Sequence, residues 1–271
     1  MQKLTETQLD TLKSLPYWDR IKDLINLYEV GILSQNSFNE ELLKARSNYI
    51  PEQKNDSLNS TQLKNTLVDI EMALVEGGTF LMGSEERFSP HERPIHQVTI
   101  SDFYIGIKEV TQEQYKALMG INPSDQISDS SPVVQVTWYD AVEFCNKLSD
   151  NNGLQKCYTG YGNSILCNFK ANGYRLPTEA EWVYSYKSSN KIKNSGYNCS
   201  GNTSEWCWDW YGLYTSTPKI NPQGPSIGTT RVLRRGFYRC GSRCQHEMRI
   251  DWKPDESLPD ECSFRIARSK P

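Results

Sequence analysis

Gly173-Tyr-Arg-Leu-Pro-Thr-Glu-Ala-Glu-Trp182 carries a helix start in its own residues. Pro177 lacks a backbone donor and suits the approach to a first turn. Thr178 followed three residues later by Glu181 is a capping box, in which each side chain satisfies the other's backbone N–H. The pattern predicts a helix through Tyr186. Arg175, Glu179, Glu181 and Trp182 have the composition of an acid–base cluster, but at a helix start they read as a capping and salt-bridge network.

Working outward, Cys157 to Phe169 reads as a hairpin turning at Gly160 to Asn163. Trp138 to Asp150 reads as a helix with Ala141, Val142, Phe144, Cys145 and Leu148 facing inward and Gly153 ending it. Val133 to Val136 is predicted as a short strand, and Thr111-x-x-Gln114 opens a short helix to Met119. Val98 to Ile107 alternates and is aromatic-rich, as strands are; Ala73 to Glu76 and Thr79 to Ser84 flank the Gly77-Gly78 turn. Downstream of Ser188 the chain reads mostly as loop around Glu205-Trp-Cys-Trp-Asp-Trp210. The terminal strands are expected at Arg231 to Arg234 and Cys262 to Ala267. Few short strands, two main helices and long loops packed on aromatics give an α+β fold.

A chain of 271 residues is long enough to bury a full core, and a net charge of −3 supplies no bulk attraction to nucleic acid or anionic membrane. No apolar run is long enough to cross a bilayer, so no transmembrane segment is expected. Three histidines and the lack of any Cys-x-x-Cys supply a zinc or histidine-based site poorly. His91 and His96 flank a proline loop and read as surface residues. Residues 1–50 read as helices, with Leu24, Leu27 and Tyr28 on one face and Phe38, Leu42 and Leu43 on the next. The stretch LINLYEVGILSQNSFNEELLKAR resembles the SHOCT helical pair, which is too small to stand alone and implies docking or oligomerisation. Residues 51–72 read as a polar linker and 73–271 as the main domain.

The blocks VEGGTFLMGS, HQVTISDFYIGIKEVTQEQYKALMG, SPVVQVTWYDAVEFCNKLS, GYRLPTEAEW, GNTSEW and RVLRRG with the closing FRIAR resemble, in order, the formylglycine-generating-enzyme (sulfatase-modifying factor) family. The resemblance runs from Leu74 to Arg268 and implies a C-type-lectin-like fold. It also implies an oxidase that converts a sulfatase cysteine to formylglycine with a copper ion on two cysteines. Cys240 and Cys244 stand in that neighbourhood. Three residues separate them where the family has four, Arg235-Gly236-Phe237 replaces its Gly-Gly-Ser-aromatic run, and Ser204 replaces its Trp before Glu205. A misplaced thiolate defeats a two-coordinate copper site, so copper and oxidase catalysis are not expected.

The same fold resembles the variable proteins of diversity-generating retroelements, whose C-terminal segment is rewritten at adenines. Randomising the first two bases of AAY codons cannot yield Lys, Glu, Gln, Met or Trp, and Phe237 to Cys244, FYRCGSRC, stays inside the permitted set. Within the region 231–268, Arg234 and Arg235 add to its basic character. Phe237, Tyr238, Arg239, Cys240, Gly241, Ser242, Arg243, Cys244, His246, Asp251 and Trp252 are the candidate ligand-binding residues. Aromatics give contact area at low entropy cost while Arg and Asp set specificity. The expected partner is a protein or glycan, the expected function a non-catalytic receptor- or adhesin-like surface. The runner-up readings are the oxidase and a family member with one fixed partner.

The resemblance also implies a structural calcium ion on the side chains of Asn198 and Glu205 and the carbonyls of Gly201 and Thr203. A second family calcium site is expected to be absent, because the segment KSSNKIKNSGY is short. Cys157 and Cys167 flank the hairpin and could pair in an oxidising compartment; Cys199 and Cys207 could also pair. Cys145 reads as a buried apolar residue. A display role favours the cell surface or export, with the cytoplasm as the alternative.

Overall fold

A computed structural model describes residues 25, 68–85, 90–188, 203–235, 238–240, 243–245, 248–257 and 262–270. The chain divides into two compact units, 1–64 with 160–165, and 65–159 with 166–271. The expected helical pair (1–50), apart from the helical residue Ile25, and nearly all of the linker lie outside the described residues.

The second unit holds strands β1 (Met72–Val75), β2 (Gly78–Met82), β3 (His96–Ile100) and β4 (Phe103–Gly106), then helices α1 (Gln112–Met119) and α2 (Trp138–Asn151). The hairpin β5 (Tyr158–Thr159) and β6 (Leu166–Cys167) precedes α3 (Glu179–Ser188), β7 (Ser204–Trp210) and β8 (Lys219–Ile220). The C-terminal part holds β9 (Arg231–Arg235), β10 (Tyr238–Cys240), β11 (Arg243–Gln245), β12 (Met248–Trp252), β13 (Cys262–Ser263) and β14 (Ala267–Ser269). The strands are short, as expected, and the sheets smaller still: orders β1-β4-β14, β2-β3-β8 and β12-β9-β7-β13, plus hairpins β5–β6 and β10–β11. The first and last strands both pair with β4, so the two ends of the domain are tied to one another.

The two predicted caps form, and a third joins them. Thr111 with Gln114 closes the expected capping box on α1, and Thr137 with Asp140 closes one on α2 beyond those expected. At α3, Thr178 Oγ1 accepts from Glu181 N at 3.1 Å while Glu181 Oε2 accepts from Thr178 N at 2.8 Å. Ala141, Val142, Phe144, Cys145 and Leu148 are buried, as the helical period requires.

Three expectations are corrected. Val133 to Val136 forms no strand: Val133 and Val136 are fully buried, but Gln135 takes a positive φ of 62°, which interrupts an extended ladder. Val98 to Ile107 is two strands broken at Ser101-Asp102, where Asp102 turns to accept from Gly77 N. The closing strand is also two, in different sheets. Between them Phe264 and Ile266 bond backbone to backbone with Val110 and Gly106, and Arg265 turns into the core.

The core lies between the sheets and α3, and includes Val98, Ile100, Phe103, Ile105, Trp182, Val183, Cys207 and Val232. Its three fully buried tryptophans each find an acceptor for the indole N–H. Trp138 donates to the Cys207 carbonyl at 3.0 Å, Trp206 to the Val136 carbonyl at 3.0 Å, and Trp182 to Glu205 at 2.9 Å.

Candidate functional site

Strand β9 alternates Arg231, Leu233 and Arg235 with Val232 and Arg234, and pairs antiparallel with β12 from Arg231↔Trp252 to Arg235↔Met248. The last rung therefore holds the two ends of segment 236–247 side by side. Within that segment β10 and β11 pair as a hairpin, Tyr238↔Gln245, Arg239↔Cys244 and Cys240↔Arg243. The candidate residues Tyr238, Arg239, Cys240, Arg243 and Cys244 thus sit together on one hairpin, carried by a ladder rooted in the main sheet. Phe237, Gly241, Ser242 and His246 lie outside the described residues. At the root, Asp251 is exposed and Trp252 half-buried; Asp251 Oδ2 accepts from Thr230 at 3.3 Å.

Arg234 and Arg235 do not belong to a recognition surface; both are buried. One rung across the four strands reads Arg249, Arg234, Glu205, Ser263, and the next towards the hairpin reads Met248, Arg235, Ser204, Cys262. Opposite residues on a ladder share a face, so the first rung presents its charges to α3. There Glu179, the first residue of the helix, accepts from Arg249 at 2.7 and 3.0 Å and from the Tyr214 hydroxyl at 2.7 Å. Arg234 reaches Glu92 at 2.7 Å and Glu179 at 3.5 Å. The Arg249 guanidinium lies over Tyr211 and Tyr214 at 4.2 and 4.3 Å and donates to the His91 carbonyl at 3.1 Å. Burial raises the Glu179 carboxyl, but the two arginines outweigh it and hold the group below its ordinary value. Asp209, whose Oδ2 accepts from Glu179 N at 2.7 Å, forms no ion pair among the described residues; burial and then the Glu179 charge push it up to about 8 against the weaker pull of Arg249.

The same rung holds a second centre. Arg265 donates to both oxygens of Glu205 and to the Gly106 carbonyl at 3.1 Å, with Glu109 at 3.8 Å. Arg231 makes a third, aromatic in kind: its guanidinium lies 3.4 Å from the Trp210 ring centre and 3.8 Å from that of Trp138, and it donates to the Trp208 carbonyl at 2.6 Å. Burial lowers this guanidinium to about 10. Arg175 and Glu181 form the expected pair at 2.7 Å.

These ion pairs are not legible in the segment itself. The usable signal is the alternation of arginine with apolar residues on a strand, which places the guanidiniums on the same sheet as buried aliphatics. Their acceptors, Glu92, Glu179 and Glu205, lie far away in sequence. His96, read as a surface residue, is buried, with Tyr214 edge-on at 4.8 Å; His91 is exposed.

Of the four positions that the resemblance assigns to calcium, Thr203 and Glu205 are among the described residues. Glu205 accepts from the Arg265 guanidinium and the Trp182 indole, and Thr203 donates its hydroxyl to Glu109 at 2.9 Å. Asn198 and Gly201 lie outside the described residues. Cys240 and Cys244 occupy adjacent rungs of the β10–β11 ladder, Cys240 opposite Arg243 and Cys244 opposite Arg239. Cys157 is not the rung partner of Cys167, which faces Tyr158; both are free thiols, as are Cys145 and Cys207. Burial pushes all four thiols up, away from the reactive thiolate. A separate cleft of 270 Å³ between Asp102, Phe169, Arg175, Asn221 and Lys270 has its charges already paired, Lys270 to Asp102 at 2.8 Å and Arg175 to Glu181.

A family profile described as "Sulfatase-modifying factor enzyme 1-like domain" matches residues 58–195. Among characterised proteins, "Chaperone protein LppX" of Paenibacillus barcinonensis is 40% identical over 229 residues, covering 75% of this chain and 79% of that one. The formylglycine-generating enzyme of Thermomonospora curvata is 29% identical over 178 residues, covering 54% of this chain and 58% of the enzyme. Among solved structures, Treponema denticola variable protein 1 superposes with a TM-score of 0.64 at 27% identity, covering 73% of this chain and 95% of that one.

Proposed function

This chain belongs to the sulfatase-modifying factor enzyme 1-like domain family, and from that premise we propose that it is a non-catalytic binding protein whose ligand surface is the C-terminal hairpin segment. The observation that carries this is the closed ladder beneath the segment. Arg235 and Met248 pair at its base, and Arg234, Arg249 and Arg265 spend their charges on buried carboxylates. The scaffold is thereby independent of what the hairpin displays. Residues 237–244 supply the contacts that vary, while Asp251 and Trp252 add fixed contacts at the root.

Two further points support the reading. The departures from the oxidase pattern fall on Arg235-Gly236-Phe237, Ser204 and the cysteine spacing, which are the places where chemistry is needed. A solved neighbour of the same fold is itself named a variable protein. The partner is a macromolecule, and the display role favours the cell surface. Rewriting residues 237–244 should change which ligands are retained on a protein and glycan array; retention of one unchanged ligand set would overturn the reading. The oxidase alternative is tested by incubating the protein with copper and a Cys-x-Pro-x-Arg peptide. Formation of formylglycine, seen by mass, would replace the binding function with catalysis.

A second reading within the binding class is a single fixed protein partner. The 40% identity to a protein named as a chaperone favours it. An adenine-rich near-copy of the last segment beside a reverse transcriptase gene would select the diversified form over the fixed one.

A further inference from the structure

Strand β12 is the outer strand of the four-stranded sheet, and only β9 pairs with it. No described residue bonds to the backbone of Met248–Trp252 on the other side. Such an edge is a row of unpaired N–H and C=O groups, which proteins ordinarily protect. The other five-residue edge strand, β2, has Lys187 Nζ donating to the Leu81 carbonyl at 3.0 Å. Strand β13, at the far side of the β12 sheet, is two residues long and buried.

Along β12 the side chains alternate. Arg249 and Asp251 face one way, Arg249 into the Glu179 pair and Asp251 towards Thr230. Met248, Ile250 and Trp252 share the other face; Met248 is exposed and the other two are half-buried. An open backbone edge with a neighbouring apolar stripe at a spacing of two residues is complementary to one kind of chain, an extended polypeptide. A glycan lacks the regular alternation of donors and acceptors that this edge would pair. The edge also runs directly into the hairpin segment, because Met248 is the first residue after it.

We infer that the partner is a protein, and that an extended segment of it adds to the edge of β12 as a further strand. Its apolar side chains at alternate positions lie beside Met248, Ile250 and Trp252, while the hairpin residues read its flank. The edge supplies the main-chain hydrogen bonds common to all ligands and the hairpin supplies the choice between them. This inference rests on the binding function proposed above and narrows its partner to a polypeptide.

The test uses the full chain and a random linear-peptide library. Enriched peptides are synthesised with backbone N-methylation at alternate residues. One of the two alternate sets should weaken binding by about tenfold or more per lost bond and the other should not, because only every second amide of an added strand points at the edge. The amides of residues 248–252 should also slow in hydrogen exchange when the peptide binds. Ile250→Lys, which places a charge on the stripe, should abolish binding without lowering Tm by more than a few degrees. Absence of enriched peptides, indifference to N-methylation, or concentration-dependent pairing of two copies through β12 would each overturn the inference. Rewriting 237–244 separates this failure from that of the parent reading. Peptide choice that changes with the hairpin but ignores N-methylation leaves the binding surface intact and removes the edge. Choice that follows N-methylation but ignores the hairpin does the reverse.

Discussion

Glu179 joins the helix α3 to the strands that carry the hairpin, because it accepts from Arg249 and Tyr214 and lies within 3.5 Å of Arg234. Removing one partner of a buried pair leaves an uncompensated charge. Glu179→Gln should therefore cost about 3–5 kcal/mol in denaturant unfolding. The sign of the pH dependence differs between Glu179 and its neighbour Asp209. Glu179 is held below its ordinary value, so its contribution is present above the unfolded value near 4.5 and is lost as pH falls through the folded one. Asp209 is raised from 3.8 to about 8, so its contribution is present in acid and is lost as pH rises towards and through 8. Asp209→Asn should flatten the stability profile between those two values, which unfolding at a series of pH values would read directly. Ser204 makes the opposite kind of prediction. Its hydroxyl is fully buried with no hydrogen-bond partner among the described residues, so Ser204→Ala should raise stability, by about 1 kcal/mol.

At the scale of elements, α3 is legible in the chain alone because its start signal is local. Thr178 and Glu181 are three residues apart and satisfy each other's backbone. Thr178→Ala should cost about 1 kcal/mol, measured by thermal unfolding. The closing strand departs from its composition for the converse reason. Cys262 to Ala267 has strand residues throughout, but Arg265 is drawn to Glu205, sixty positions away, and the backbone on either side of it joins different sheets. The hairpin β10–β11 lies beyond the last rung of the β9–β12 ladder. Scrambling residues 237–244 should therefore leave Tm within a few degrees, and a large fall would place the segment in the core instead.

For the molecule as a whole, the charges that matter are inside. The pairs Arg234–Glu92, Arg249–Glu179 and Arg265–Glu205 are almost completely removed from water, whereas screening by salt acts on exposed charges. Raising sodium chloride from about 0.05 to 1 M should thus move Tm by only a few degrees. A protein held by surface pairs would respond more. The same burial explains how a sheet bearing five buried arginines, from residues 231, 234, 235, 249 and the adjoining 265, can fold in a chain of net charge −3. Each of the three paired arginines meets a carboxylate from another element, so the core is stitched together by contacts distant in sequence.

The sequence by itself determined the local features: the three helix starts, the buried faces of α2, the strand at Arg231 and the ordered blocks that mark the family. Capping and periodicity act over a few residues, so they can be read without knowing what lies opposite. It also located the candidate surface, because FYRCGSRC and its departures from the oxidase pattern are properties of the chain alone. Only the fold put Arg231, Arg234, Arg235, Arg249 and Arg265 in the core. A guanidinium becomes scaffold when a buried carboxylate meets it, and those carboxylates come from Glu92, Glu179 and Glu205. It likewise gave Glu205 the partner Arg265, and set Cys240 and Cys244 on different rungs. Charge pairing and strand register depend on what the fold brings together, and no local pattern records that.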